Sequence, residues 1–326
     1  MRTAFIGAYG FGNLGDELCL IEAMREFPAA EAFAFSVQPA WTHRCVPGLA
    51  GTFRNGPEMR ALAPARVVYG GGGIGTRADV ETFFPWMAEA LAAGAELHVH
   101  NIGVARIPPG PGWPAPVVRE VLEGLASFTV RDHRSVDMVA EWGLEVLPGV
   151  TRYPERAIAP DFGLADALLP GDRPLLGLSI IDTPLMRRCL EHDAAVVEAL
   201  LARFPGHAVL PVCSTLHVDS AEEDDGSGFR RFAARFLAGR EILCPQLAER
   251  PFWAAEVTPR RLKGLIARLD TLISQRKHNC LHGLGAGTRT IGLSPMRDDS
   301  LRRVFVTLAN QLPAGSGCIG LEDPPP

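Results

Sequence analysis

The stretch TAFIGAYGFGNLGDELCLIEAM, residues 3–24, reads as a strand, a turn and a helix in succession. Residues 3–7 are a short apolar run. A glycine-rich turn follows, with Gly7, Gly10, Gly12 and Gly15. Asn13 can cap the helix that opens next, along which Leu14, Leu18, Ile21 and Met24 keep helical spacing. Glycines let a backbone approach a ligand closely, and a helix N-terminus attracts anions. Gly10, Gly12 and Gly15 match the dinucleotide fingerprint GxGxxG literally. Asp16 and Glu17 argue against that cofactor, because a pyrophosphate would meet two carboxylates in the first helical turn. The plain alternative to a ligand-facing loop is a tight turn with acidic first-turn residues.

The same strand-then-helix style continues outward. Residues 67–69 read as a second strand, ending in the four glycines 70–73. Residues 97–104 and 127–130 read as a third and fourth, and Asp132 can cap the helix after them. In the second half, 175–181, 208–212, 271–274 and 290–293 read as strands. Helices are expected at 194–204 and 229–237, from Pro259 onward, and from Lys277 to Ala286. Strands alternating with helices imply parallel sheets covered on both faces. The turn-rich LLPGDRP at 168–174 marks the expected boundary, giving domains 1–169 and 170–312 and a loose Gly/Pro-rich tail, 313–326. The acidic run 221–228 reads as a solvated loop, with ligand spacing unlike a calcium-binding hand.

Composition narrows the classes. The 326 residues are 47% hydrophobic and 21% charged, which suits a chain that buries a real core. A formal net charge of -5 argues against a general nucleic-acid binder. The seven cysteines are scattered without a CxxC pair, so reduced thiols are expected, and neither disulfides nor a metal site. No run reaches the roughly 18 apolar residues of a membrane span, and no signal-peptide core is present. The expected location is the cytoplasm, with contact at the inner face of the membrane left open.

Four segments carry candidate chemistry. The first is the turn with Gly10, Gly12, Asn13, Gly15, Asp16 and Glu17. The second is the glycine block, where Gly71, Gly72 and Gly73 at a strand end invite close approach of a ligand or of a neighbouring domain. In open α/β sheets the ligand crevice lies at the carboxyl ends of strands. The third is TVRDHRS, residues 129–135, where Arg131 ends a strand and suits a carboxylate or phosphate, or else pairs with Asp132 at the surface. The fourth is ISQRKHNCLHGLGAGTRTIGL, residues 273–293. Here Arg276 and His278 flank Lys277 at a strand-to-helix turn, where a guanidinium and an imidazole can hold an anion and move a proton together. His282, one turn further on, reads as structural.

Together these motifs resemble the polysaccharide pyruvyltransferase family over roughly residues 2–308. The resemblance is carried by GxGNxGDE at 10–17, GGGG at 70–73, RDxxS at 131–135, Pro160-Asp161, RxH at 276–278 and GxxxIGL at 287–293. It implies two Rossmann-like domains facing across a cleft in the GT-B manner. It also implies transfer of the pyruvyl group of phosphoenolpyruvate to a sugar of an exopolysaccharide or cell-surface glycan, forming a ketal. The acceptor would be a sugar or a lipid-linked oligosaccharide, with no cofactor beyond phosphoenolpyruvate as co-substrate. By motif, Arg131 and Arg276 would hold the donor with Lys277 nearby, and His278 would act as acid. Asp16 or Glu17 would be the base. Two departures stand out: SIIDTP at 179–184 lacks an arginine common in relatives, and Lys277 replaces an apolar residue. The alternatives are a nucleotide-sugar glycosyltransferase of the same architecture and a non-catalytic glycan-assembly protein.

Overall fold

The structure is a computed structural model. It describes residues 1–74, 77–105, 114–143, 146–171, 173–217, 224–296 and 300–322. The chain divides into two compact units, Met1–Glu155 and Arg156–Pro326.

The first unit begins with β1 (Arg2–Ile6), α1 (Leu14–Glu26), β2 (Glu31–Phe35), α2 (Pro39–Cys45), β3 (Gly51–Phe53) and α3 (Gly56–Ala61). It continues with β4 (Arg66–Gly70), β5 (Gly73–Ile74), α4 (Arg77–Ala92), β6 (Glu96–Val104) and α5 (Pro116–Glu123). It closes with β7 (Ser127–Val130), α6 (His133–Ala140) and β8 (Gly149–Val150). Its strands pair in parallel in the order β3-β2-β1-β4-β6-β7-β8, with β5 on β6. Strands covered on both faces need near-continuous apolar runs, and β1 and β4 are buried from their second residue onward. Setting β5 aside, the strand order starts as 3-2-1-4, the doubly wound order of a Rossmann domain, with its switch point between β1 and β4. Phe35, Tyr69, Phe83 and Phe84 pack edge-on or tilted in the core beside that point.

The second unit holds α7 (Gly163–Leu168), β9 (Leu175–Ser179), α8 (Pro184–His192), α9 (Ala194–Leu201), β10 (Ala208–Pro211) and α10 (Asp225–Phe236). After these come α11 (Arg250–Glu256), α12 (Pro259–Ala267), β11 (Thr271–Ser274), α13 (Lys277–Ala286), β12 (Arg289–Pro295), α14 (Ser300–Thr307) and β13 (Gly317–Leu321). The parallel order β10-β9-β11-β12-β13 is the other doubly wound arrangement, 2-1-3-4-5, with its switch point between β9 and β11. Among the described residues, no helix is long and apolar enough to cross a membrane.

Two expectations from the sequence are corrected. The turn at 168–174 lies inside the second unit, not at a boundary, because α7 is fastened to α12. The Asp161 amide donates to the Arg260 carbonyl at 2.9 Å, and Arg268 pairs with Asp166 at 2.6 Å. Gly264 lets α12 come this close, since a Cβ there would lie 2.0 Å from the Asp161 carbonyl oxygen. The region from 313 is not simply a tail either: β13 adds an edge strand in register with β12, Ile291 opposite Gly317 through Pro295 opposite Leu321. Residues 323–326 lie outside the described residues.

Candidate functional site

The two glycine-rich segments of the first unit meet at its switch point. A Cβ on Gly7 would lie 2.1 Å from the Gly70 carbonyl oxygen. The Tyr9 hydroxyl, buried in the turn, donates to that same carbonyl. Gly71, at φ +83°, leaves room for the Tyr9 ring. Within its unit the glycine block thus lies against the β1–α1 turn. Asn13 caps α1 as expected: its Oδ1 accepts from the Gly15 amide at 3.0 Å, and its Nδ2 donates to Asp16 at 2.7 Å.

Glu17 lies under this turn, wholly buried. Its Oε1 accepts from the Gly10 amide at 2.7 Å, and at 3.4 Å from Thr42, which also bonds Ser36. Burial pushes the Glu17 carboxyl up to about 8, with Asp16 adding to the rise and the Gly10 amide opposing it. A group so enclosed holds the turn in place and is not a base for a diffusing hydroxyl. Asp16 is also buried but sits at the Gly72 side of the turn. Because the folded value exceeds the unfolded one, the stability Glu17 contributes is full below about 4.5 and is lost as pH rises towards 8, by up to about 1.4 kcal/mol per pH unit. Glu17→Gln removes this titration. Its melting temperature should fall less than that of the wild type between pH 5 and pH 8, by roughly 2–4 °C per kcal/mol. Parallel melting curves for the two proteins would show that Glu17 does not titrate there.

Arg131 follows β7 and folds over Gly103, where a Cβ would lie 2.1 Å from the guanidinium carbon. Its Nη1 donates to the Gly72 carbonyl at 3.2 Å, and its Nε is 3.7 Å from Asp132. The Arg131–Asp132 pair foreseen from sequence exists but is largely enclosed, and Asp132 also caps α6 and accepts from Tyr153. Gly72 is thus flanked by Arg131 and Asp16. Beside them lies a buried chain that sequence reading did not find. His100 meets Glu22 at 2.7 Å, and Asn101 donates to Glu155 at 2.7 Å. Asn101 has φ +51° at a register shift in β6, a strained geometry for a residue with a Cβ.

In the second unit, β11 ends at Ser274 and its Oγ accepts from the Arg276 amide at 3.0 Å. Arg276 is the N-cap of α13, and Lys277 and His278 open that helix, both half-buried. The Arg276 Nε donates at 2.8 Å to Asp225, which is fully buried. The other Asp225 oxygen accepts from the Ser214 and Thr215 amides at 2.9 and 3.0 Å. Burial pushes the Asp225 carboxyl up, and Arg276 and these amides pull it back. This corrects the acidic loop expected at 221–228. Asp224 caps α10, and Asp225 anchors the arginine of the β11–α13 turn. Residues 221–223 lie outside the described residues. Asn279 ties α13 to Ser179 on β9 at 2.8 Å, and Gln275 accepts from the Ile181 amide at 2.8 Å. His282 is buried in the core with neither ring nitrogen hydrogen-bonded, and burial with Lys263 nearby pushes it down to about 3. His192, Asp193 and Glu322 bring ligand atoms within 4.8 Å of one another, with His192 and Glu322 exposed and Asp193 partly buried.

The two switch points and their turns define the class: two Rossmann-like units of the GT-B type. No protein-family model matches the chain, and no curated protein matches it. Solved structures do. UDP-GlcNAc 2-epimerase from Neisseria meningitidis, bound to UDP-GlcNAc, is 9% identical with a TM-score of 0.57, over 98% of this chain and 87% of that one. UDP-GlcNAc 2-epimerase from Methanocaldococcus jannaschii is 10% identical with a TM-score of 0.57, over 98% and 89%. At such identities the likeness is one of fold.

Proposed function

We propose that this chain is an enzyme of glycan assembly whose second unit binds a phosphate-bearing donor at the carboxyl edge of β9 and β11. The observation that carries this reading is the Arg276–Lys277–His278 turn. It stands at a switch point and at a helix N-terminus, and Arg276 is aimed by a buried carboxylate. Such a turn holds an anion through a planar guanidinium and keeps an imidazole within reach of it.

Two donors fit. The likeness in fold to enzymes named for UDP-GlcNAc supports a nucleotide sugar, which would leave its nucleoside diphosphate at this turn as the sugar moves to an acceptor hydroxyl. The motif pattern, above all Arg276 and His278, supports phosphoenolpyruvate as the second reading. In that case His278 protonates the methylene carbon, a sugar hydroxyl attacks C2, phosphate leaves, and a second hydroxyl closes the ketal.

Calorimetric titration with UDP-GlcNAc, UDP and phosphoenolpyruvate separates the two readings. Assays for UDP release and phosphate release, run against free and lipid-linked glycans, identify the reaction. Binding of none of the three ligands would remove the donor site. Arg276→Lys keeps the charge but loses two-point geometry. Its apparent KM for the donor should rise by about tenfold or more in protein that still melts cooperatively, since an ammonium can still offset the buried Asp225 charge. Unchanged kinetics would take Arg276 out of donor binding.

A further inference from the structure

At the end of β9 the chain turns through Ile180, Ile181 and Asp182 into α8. The Asp182 carboxylate is buried. One oxygen, Oδ1, accepts both from Nη1 of Arg187 on α8 and from Nε of Arg231 on α10, each at 3.2 Å. Arg235, one turn further along α10, faces the same cleft and lies over the Phe236 ring at 5.2 Å. Leu190 and Phe232 form its apolar floor, and Glu191 is the other carboxylate on it.

One arginine would neutralise Asp182. Here two guanidiniums meet it, and a third, that of Arg235, lines the same cleft with Glu198 4.0 Å away. Arg187 and Arg231 each give one N–H to Asp182, while a guanidinium carries five, and their side chains stay 32% and 60% open. A buried carboxylate fixing two partly open guanidiniums is a pre-set fork for tetrahedral oxyanions. The helix that supplies Arg231 also supplies Asp225, the anchor of Arg276. Six residues along a helix is about 9 Å, so the cleft is a separate place on the same sheet edge.

We propose that the cleft between α8 and α10 is a second anion site, which takes the phosphate of a phosphorylated molecule with an apolar body. It uses none of the residues assigned to the donor, so it stands or falls apart from the proposed function.

The probe is pyrophosphate, titrated calorimetrically into Arg276→Lys protein so that the Arg276 turn contributes little. Adding Arg187→Lys and Arg231→Lys keeps both charges beside Asp182 and removes the planar forks. Affinity should fall about tenfold or more with the melting temperature unchanged. The pair Arg187→Gln and Arg231→Gln should abolish binding in protein that still melts cooperatively. Equal affinity with and without these pairs, or no binding in the Arg276→Lys protein, overturns the proposal. Retention of the wild-type chain on phosphatidylcholine vesicles containing phosphatidic acid, lost with the glutamine pair, would assign a lipid-borne phosphate. Pyrophosphate binding without vesicle retention would assign a soluble one.

Discussion

His278→Gln should leave donor binding within several-fold of the wild type and cut transfer by about 10²–10⁴. The side chain stands in the first turn of α13, two residues after the arginine that Asp225 orients. An amide of similar shape can keep its place there but cannot give up and regain a proton. If His278 merely supports the helix start, the variant would instead melt earlier and keep its specific activity. Binding, melting and product formation measured on one preparation separate the two. Near-wild-type turnover in folded His278→Gln protein would end the acid role and leave an anion site without a proton donor.

Asp225→Ala should cost the second unit about 3–5 kcal/mol, lowering its melting temperature by on the order of 10 °C. The loss arises because Arg276 and the Ser214 and Thr215 amides lose one shared acceptor in a buried place. Donor affinity should fall as well, since Asp225 holds the Arg276 Nε in place. Asp225→Asn retains the shape and an acceptor oxygen but not the charge, so its melting point should lie between the two. A melting temperature for Asp225→Ala within about a degree of the wild type would mean that the pair contributes nothing to the fold.

Short buried strands and marked helix ends made much of the architecture legible. The strand 127–130, the strand 271–274 and the helix from Lys277 to Ala286 fall where apolar runs, caps and glycine stops put them. Asn13 and Asp132 cap their helices because a side-chain oxygen there satisfies a local amide, which sequence displays directly. What stayed hidden depends on partners far along the chain. Asp225 sits in AEEDDGSG, a run that looks solvated, and Arg276, fifty-one positions away, makes its burial tolerable together with the Ser214 and Thr215 amides. Glu17 looks like a first-turn carboxylate facing a ligand until Gly10 and Thr42 are seen closing over it. LLPGDRP signals a turn, and a turn inside a unit has the same composition as one between units. The burial of Asp182 within SIIDTP was hidden as well, because only tertiary packing brings Arg187 and Arg231 to it.

The unpartnered imidazole of His282 gives the second unit a liability opposite in sign to that of Glu17 in the first. Its folded value, about 3, lies below the ordinary imidazole range. The stability it contributes is complete above about 6.5 and drains away as pH falls towards 3. Glu17 acts in reverse, weakening its unit as protons become scarce. Through these two groups acid strains one half of the chain and alkali the other. The two contributions are never complete together, because that of Glu17 fades above about 4.5 and that of His282 is whole only above about 6.5, so acid should melt the second unit first and a rise towards pH 8 the first.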